Sequence, residues 1–381
     1  MRKMFYSCLA TGMLLMSSAA HAADGELHVK GNLKNFGDTA IVFISSPGSR
    51  DTRPDTFLIK KGKFDFKVTA KRVSNMVITP LFLRHQDEAR TIRLVAVPGE
   101  TVELNGDMKT RYDVNGTGFY KQMNAVSLMM EEAGKPIREL NEGLNKRLAA
   151  GESRDSLVKE YNEKAPVLAQ KMEADLMNFI KNNPKSEAAV TVVTQFESLE
   201  QMEEALSHLS TEVKEGRMKP YYSHFLNTLK TQKEESERNA RKQAAGTVAP
   251  DFTLNDINGK PLSLSSLQGK YVVLDFWGTW CVWCIKGFPE MKAYYEKYKD
   301  KLEILGVDCG DTEDKWKAGV KEHQLPWLNV YNPRNSSVLA DYGVKGFPTK
   351  ILIGPDGKIV KTIVGESPAF YTLLDELFGG K

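Results

Sequence analysis

Short apolar runs separated by turn residues fill the stretch from about Glu26 to Asn105. Apolar and polar residues alternate within several runs, which is typical of strands with one buried face. Seven runs can be recognised: Leu27–Val29, Ile41–Ile44, Phe57–Ile59, Phe64–Val68, Val77–Leu83, Ile92–Val97 and Val102–Leu104. The third and fourth flank Lys61-Gly62-Lys63 and are predicted to form a hairpin. Because no helical run interrupts the series, we predict an antiparallel β-sandwich over residues 23–118.

From about Phe119 to Lys242 the pattern becomes helical, since glycine and proline are sparse and charges alternate along the runs. Asn183-Pro184-Lys185-Ser186 ends one helix and caps the next. The charged run 233–242 is interpreted as either a solvated helix or a linker. We predict a helical region with its linker over residues 119–245. Six methionines at helix-face spacing indicate core packing rather than a metal site: Met123, Met129, Met130, Met172, Met177 and Met202.

In residues 246–381, strands alternate with helices. The apolar run Tyr271–Leu274 predicts a buried strand, and the amphipathic run Ile285–Tyr298 predicts the helix after it. Leu302–Val307 predicts the next strand and Thr312–Glu322 the next helix. The predicted order is hairpin, strand, helix, strand, helix, hairpin and helix. This order indicates an α/β sheet whose functional loops lie at the carboxyl ends of its strands.

Two cysteines spaced as Cys-x-x-Cys lie between that buried strand and the helix after it. Cys281 stands at the start of the helix and Cys284 one turn further in. A helix N-terminus offers unpaired backbone N–H groups and the positive end of the helix dipole. Both favour a thiolate at Cys281, which we expect to be exposed, and the thiolate is the reactive form. The motif predicts thiol–disulfide exchange through a Cys281–Cys284 redox disulfide.

The surroundings of the two cysteines resemble thioredoxin and, more narrowly, its TlpA/ResA-type secreted relatives. The resemblance rests on motifs at the family's distances: Asp275, Phe276-Trp277-Gly278-Thr279-Trp280-Cys281, Pro289, Gly346-Phe347-Pro348-Thr349, Ile351–Val360, Gly365, and the entry Ala249-Pro250-Asp251-Phe252 with Asn258-Gly259-Lys260. It covers about residues 246–381 and implies a thioredoxin fold there. The stretch before it resembles a β-domain of unknown function that often precedes secreted thioredoxin-like domains.

The resemblance implies a role for three side chains. Cys281 attacks a partner disulfide and Cys284 resolves the mixed disulfide. Asp275 matches a buried carboxylate of thioredoxins, and its neighbours Leu274 and Phe276 indicate burial here. Burial raises a carboxyl pKa, which suits Asp275 to accept the Cys284 proton. The alternative is that Asp275 faces water at a strand end.

Four further residues are predicted to bind the substrate. Pro348 matches a proline that is cis in the family and is expected to lie against the disulfide. The turn there exposes backbone groups of Phe347 to an extended partner. Trp280 and Trp283 supply an apolar surface around the thiols. These indoles either hold an unfolded or apolar partner or shield the domain.

The sequence departs from the family pattern at two places. The dipeptide between the cysteines is Val282-Trp283, not the Gly-Pro or Glu-Pro type of other members. This dipeptide helps to set the redox potential, so the direction of electron flow does not carry over. ResA-like members have a glutamate three residues after the second cysteine, where this chain has Gly287. Glu290 is expected to be the nearest carboxylate.

Residues 1–22 have the features of a secretory leader. Arg2 and Lys3 begin it, an apolar core follows, and Ala20-His21-Ala22 fits a cleavage site. The apolar run is too short for a transmembrane anchor. Lipid attachment at Cys8 is disfavoured because the apolar segment follows this cysteine. We predict a periplasmic protein, and the net charge of +3 gives no indication of nucleic-acid binding.

Cys309 follows a predicted strand and has no partner in the motif. It is interpreted as a small residue at a strand end. The alternative is a regulatory or dimerising disulfide, because an unpaired cysteine is unusual in an exported protein.

Three other functions are weighed against this chemistry. A peroxidase of the peroxiredoxin type requires Thr-x-x-Cys, and Gly278 stands where that threonine would be. A metal carrier needs ligands beyond the cysteines, and His323 has no ligand-spaced neighbour. A non-catalytic binding protein would not be expected to keep Cys281, Cys284 and Asp275 together. No metal or cofactor is predicted.

The sequence therefore predicts an exported thiol–disulfide oxidoreductase that reduces or isomerises disulfides of other exported proteins. A membrane thiol donor is expected as its source of electrons.

Overall fold

A computed structural model of the protein describes residues 25–37, 39–45, 53–80 and 91–379. The chain divides into two compact units, Met1–Lys230 and Thr231–Lys381. The predicted leader, with Cys8 in it, lies outside the described residues. Within those residues, no helix is long and apolar enough to cross a membrane. The finer division at residues 118 and 245 stays a prediction.

In the described part of the first unit, eight strands precede the helices. They are β1 (Glu26–Lys34), β2 (Thr39–Ser45), β3 (Arg53–Leu58), β4 (Lys63–Thr69), β5 (Ser74–Pro80), β6 (Ile92–Ala96), β7 (Thr101–Asp107) and β8 (Arg111–Gly116). They form two four-stranded sheets, in the orders β4-β1-β7-β8 and β3-β2-β5-β6. Leu27 from the first sheet and Val42 and Met76 from the second belong to one buried apolar cluster.

The prediction that all these strands are antiparallel is wrong. β1 and β7 pair in parallel, with Val29 opposite Val102. A tight turn forces its two strands to run antiparallel, whereas a long connection leaves either direction open. β1 and β7 are separated by five strands that visit both sheets. The alternation of apolar residues does not carry this information.

The predicted hairpin at Lys61-Gly62-Lys63 is confirmed only at its turn, where Lys60 and Lys63 form an isolated antiparallel bridge with backbone hydrogen bonds of 3.1 and 2.9 Å. β3 pairs with β2 and β4 pairs with β1, so consecutive strands enter different sheets. The turn lies against β1, where the Leu33 N–H donates to the Gly62 carbonyl oxygen at 2.8 Å. A side chain at Gly62 would overlap the Leu33 backbone, and its φ of +79° also favours glycine. Beyond the Lys60–Lys63 bridge, β3 and β4 therefore do not pair with each other.

The predicted helical region is confirmed. It comprises α1 (Gly118–Ala149), α2 (Arg154–Asn182), α3 (Ala189–Val193), α4 (Leu199–Ser207), α5 (Thr211–Glu215) and α6 (Lys219–Lys242). The charged run 233–242 is the largely exposed end of α6, so it is a solvated helix. Core packing of the six predicted methionines is also confirmed, with Met202 fully buried.

The second unit contains one seven-stranded sheet flanked by helices. Its elements after α6 are β9 (Thr253–Asp256), β10 (Pro261–Ser263), a 3₁₀ turn (Leu264–Leu267), β11 (Tyr271–Trp277), α7 (Val282–Tyr298), β12 (Leu302–Asp308), α8 (Glu313–Glu322), β13 (Leu328–Tyr331), α9 (Val338–Asp341), β14 (Thr349–Ile353), β15 (Ile359–Val364) and α10 (Pro368–Phe378). The strand order is β10-β9-β13-β12-β11-β14-β15. The sequence pattern does not predict β13, because four residues give no periodic signal.

Successive residues of β11 face opposite sides of this sheet. Val273 and Trp277 pack in one apolar cluster with Phe288 of α7 and Tyr371 of α10. Leu274, like Val272 and Phe276, packs in a second cluster on the other side. Asp275 lies between Val273 and Trp277 in the alternation, so its carboxylate is on the side covered by α7.

Candidate active site

The candidate site lies where β11 ends and α7 begins. Cys281 is the N-cap of α7, and its Sγ accepts a hydrogen bond from the Cys284 N–H at 3.2 Å. A disulfide joins the two cysteines, whose Cα atoms are 5.3 Å apart. Cys281 is only 5 % exposed and Cys284 2 % exposed, so the prediction of an exposed Cys281 is wrong. Cys281 is covered because its side chain packs in the apolar cluster of Trp277 and Phe288.

The loop between β11 and α7 is held by the residues that follow β12. The Thr279 N–H and hydroxyl both donate to the Asp311 carboxylate at 2.7 Å. The Trp280 indole N–H donates to the Cys309 carbonyl oxygen at 2.8 Å. A methyl group at Gly278 would lie 2.5 Å from Trp280 Nε1. Asp311 could not be identified from the sequence, because its contact with Thr279 depends on the pairing of β11 with β12.

Exposed apolar side chains lie next to the cysteines in the chain. Trp280 and Trp283 are 53 % and 61 % exposed. The Trp280 ring contacts Phe347 edge-to-face, with centroids 5.1 Å apart, and the Phe347–Pro348 peptide is cis. The fold therefore brings Trp280 to the loop that contains Pro348. Trp283 lies instead beneath Lys286, whose Nζ is 4.6 Å from the ring centroid.

Asp275 is buried, and the alternative that it faces water is wrong. It is 1 % exposed, and neither carboxylate oxygen has a hydrogen-bond partner among the described residues. Burial raises the pKa of Asp275 to about 6, since it removes water from the charged form. The charge of Lys350 opposes this rise, and the charge of Glu366 adds to it.

A buried ion pair, which the sequence pattern does not indicate, lies on the same side of the sheet. Lys350 of β14 is 1 % exposed, and its Nζ donates to Glu366 Oε2 at 2.6 Å. The Tyr371 hydroxyl donates to Glu366 Oε1 at 2.8 Å. Hydrogen bonding to Glu366 adds to burial in raising the pKa of Tyr371.

Glu366 also lies against α7 one turn after Cys284. Any side chain at Gly287 would overlap the Glu366 carboxylate. The expectation that Glu290 is the carboxylate nearest to that position is therefore wrong. Glu366 reaches it from the loop between β15 and α10, far along the chain. A glycine in the interior of an active-site helix was the signal that another group fills this space.

Cys309 is a buried residue at the end of β12. It is 1 % exposed, and its thiol donates to the Val307 carbonyl oxygen at 3.4 Å. Burial, and then the nearby Asp308 carboxylate, raise the pKa of the Cys309 thiol far above its ordinary value. These features favour the interpretation as a small packed residue. Among the described residues, no group of three or more His, Cys, Asp or Glu side chains is arranged to hold a metal ion.

The chain is similar to several known proteins. The AhpC/TSA family model matches residues 245–362. The ResA thiol–disulfide oxidoreductase of Bacillus cereus is 41% identical over 126 residues, which are 33% of this chain and 72% of that protein. ResA of Bacillus subtilis is 40% identical over 121 residues, 32% of this chain and 67% of that protein. A crystal structure of the thioredoxin domain of a Bacteroides vulgatus thiol–disulfide oxidoreductase is 35% identical, with a TM-score of 0.34, and covers 35% of this chain and 97% of that chain.

The strand-to-helix Cys-x-x-Cys pair and the two ResA relatives define the class of the protein. It is a thioredoxin-like thiol–disulfide oxidoreductase. More narrowly, the chain belongs to the ResA-like family of these enzymes.

Proposed function

We propose that the protein is exported and that it reduces or isomerises disulfides of other exported proteins through the Cys281–Cys284 pair. One observation carries this proposal. The pair stands at the N-terminus of α7, and the strand leading into it holds the buried carboxylate of Asp275, which has no hydrogen-bond partner among the described residues. A helix N-terminus favours a thiolate, and a neighbouring base allows a second thiol to react.

In the reduced protein, the Cys281 thiolate attacks one sulfur of a partner disulfide. A mixed disulfide forms, the partner's S–S bond breaks, and its other sulfur leaves as a thiolate. Cys284 then gives its proton to Asp275 and attacks the Cys281 sulfur, which releases the second partner thiolate. Two electrons have passed from the protein to the partner. A membrane thiol donor is expected to return the protein to the dithiol.

Asp275 is suited to accept the Cys284 proton. A pKa raised by burial to about 6 lies close to neutral pH, where a base both exists in its charged form and holds a proton well. Its oxygens are not occupied by hydrogen bonds from the described residues.

Trp280, Trp283, Phe347 and Pro348 are proposed to bind the client. The two exposed indoles offer apolar contact area around the cysteines. The backbone at Phe347-Pro348 can pair with an extended client segment. A client held by these residues would bring its disulfide close to Cys281.

The location and domain organisation complete the proposal. Residues 1–22 act as a cleavable leader to the periplasm, without lipid attachment. Residues 23–118 form a β-sandwich domain, 119–245 a helical domain with its linker, and 246–381 the thioredoxin-like domain. The first two either bind clients or only act as spacers for the third. No cofactor and no nucleic-acid partner are expected.

Reduction of a disulfide-bearing model protein such as insulin tests this proposal. The mature chain is used with a thiol donor, and insulin aggregation reports the rate. We expect Cys281→Ser to reduce the rate to background and Cys284→Ser to accumulate a mixed disulfide. Cys309→Ser is the matched control, because its buried thiol takes no part. Full activity of Cys281→Ser would refute the enzyme mechanism and leave a binding protein.

A further inference from the structure

A buried lysine stands opposite the proposed proton acceptor but binds another carboxylate. Lys350 of β14 pairs in register with Asp275 of β11. Opposite residues of an antiparallel pair point to the same face of a sheet, so both side chains lie beneath α7 and α10. A buried ammonium group is costly unless it is paired. Lys350 pairs with Glu366 at 2.6 Å, and Asp275 keeps both oxygens free of hydrogen bonds from the described residues.

The position of Glu366 is fixed from three sides. Lys350 binds Oε2, the Tyr371 hydroxyl binds Oε1, and Gly287 leaves room for the carboxylate against α7. The Glu366 side chain is 18 % exposed, whereas Lys350 is almost fully buried. The ion pair therefore belongs to the protein interior and is not a surface salt bridge.

We propose that Glu366 is a positioning residue of the dithiol site, an inference that rests on the proposed function. By holding Lys350, it prevents this lysine from forming an ion pair with Asp275, and so leaves Asp275 able to exchange a proton with Cys284.

The charges around Asp275 support this role. Lys350 faces Asp275 from β14, and Glu366 faces it from the loop before α10. Tyr371 of α10 also interacts with its charge. The two nearby thiols are Cys309, which follows β12, and Cys284, which lies on α7. Lys350 favours the charged carboxylate and Glu366 disfavours it. If Glu366 loses its charge, Lys350 is left without its partner and faces Asp275. The pair then holds Asp275 in the charged form, and Asp275 no longer takes a proton near neutral pH.

Direct titration of Asp275 tests the proposal. The full-length mature protein, oxidised and labelled with ¹³C at the aspartate carboxyls, is followed by NMR, with Asp275→Asn to assign the signal. In Glu366→Gln we expect the acid dissociation constant of Asp275 to rise by about 10-fold or more, because the Lys350 charge then acts on Asp275 without the opposing charge of Glu366. In Lys350→Met we expect it to fall, because the charge that favours the carboxylate is gone. Glu376→Gln, an exposed position on the same α10, is the matched control and should leave the titration unchanged.

The dissociation constant of Asp275 is expected to rise in Glu366→Gln and to fall in Lys350→Met, and this difference in direction distinguishes an electrostatic role of Glu366 from a merely structural one. Loss of packing would move the two variants alike, whereas loss of one charge or the other moves them apart. A Glu366→Gln titration that matches the wild type overturns the proposal. If that variant does not fold, Lys350→Met decides alone, and an unchanged or increased dissociation constant overturns the proposal. The readout needs no partner protein, so its failure is distinct from failure of the insulin test.

Discussion

Replacement of Asp275 by asparagine should change how the stability of the second unit depends on pH. Burial raises the pKa of this carboxyl from its ordinary value of 3.8 to about 6. The folded protein then binds the proton more tightly than the unfolded chain. A raised folded pKa gives stability that is present at low pH and lost as the pH rises from about 4 through about 6. The difference between the two pKa values corresponds to about 3 kcal/mol of unfolding free energy.

Urea unfolding followed by tryptophan fluorescence measures this effect. All five tryptophans lie in the second unit, so the signal reports that unit. Between pH 4 and pH 7.5, we expect the oxidised wild type to lose about 2.4 kcal/mol more unfolding free energy than Asp275→Asn, because the unfolded carboxyl is already partly ionised at pH 4. Burial, and then the neighbouring Asp311, raise the pKa of Asp308 to about 8, but that contribution is common to both proteins. Glu376→Gln is the control. Equal pH dependence in wild type and Asp275→Asn would refute the reasoning.

Two further predictions concern the loop between β11 and α7 and the buried Cys309. Gly278→Ala should destabilise the second unit by about 1–3 kcal/mol, because the added methyl lies 2.5 Å from Trp280 Nε1 and 2.9 Å from the Cys309 carbonyl oxygen. The same urea assay checks this, and unchanged stability would contradict the tight contact. Cys309 should react with a thiol reagent only when the mature protein unfolds, because the thiol is buried and its pKa is raised. Rapid labelling of the native protein, or a dimer on a non-reducing gel under mild oxidant, would contradict the packed interpretation.

The parts of the site that are close in sequence could be predicted. The run from Asp275 to Cys284 contains the buried strand, the loop and the helix start, so a local pattern was enough to place the cysteines and the burial of Asp275. The hairpin of β14 and β15 was predicted for the same reason.

The parts that depend on distant contacts could not be predicted. Glu366 and Asp311 reach the site through the pairing of β11 with its neighbouring strands, and no spacing rule joins them to Gly287 or Thr279. The burial of Cys281 depends on how α7 packs on the sheet. In the first unit, the parallel pairing of β1 with β7 depends on the order in which strands enter the two sheets. Alternation of apolar residues shows that a strand has a buried face but not which strand lies beside it.

The central claim is that Cys281 and Cys284 form a redox-active pair. Its most direct test is a redox titration of the Cys309→Ser protein in thiol–disulfide buffers, followed by tryptophan fluorescence, since Trp277, Trp280 and Trp283 lie beside the pair in sequence. We expect one two-electron transition, which is absent in Cys281→Ser. A midpoint near or below about −250 mV indicates a reductant, and one near about −180 mV or higher indicates an isomerase or oxidase. No two-electron transition would contradict the account.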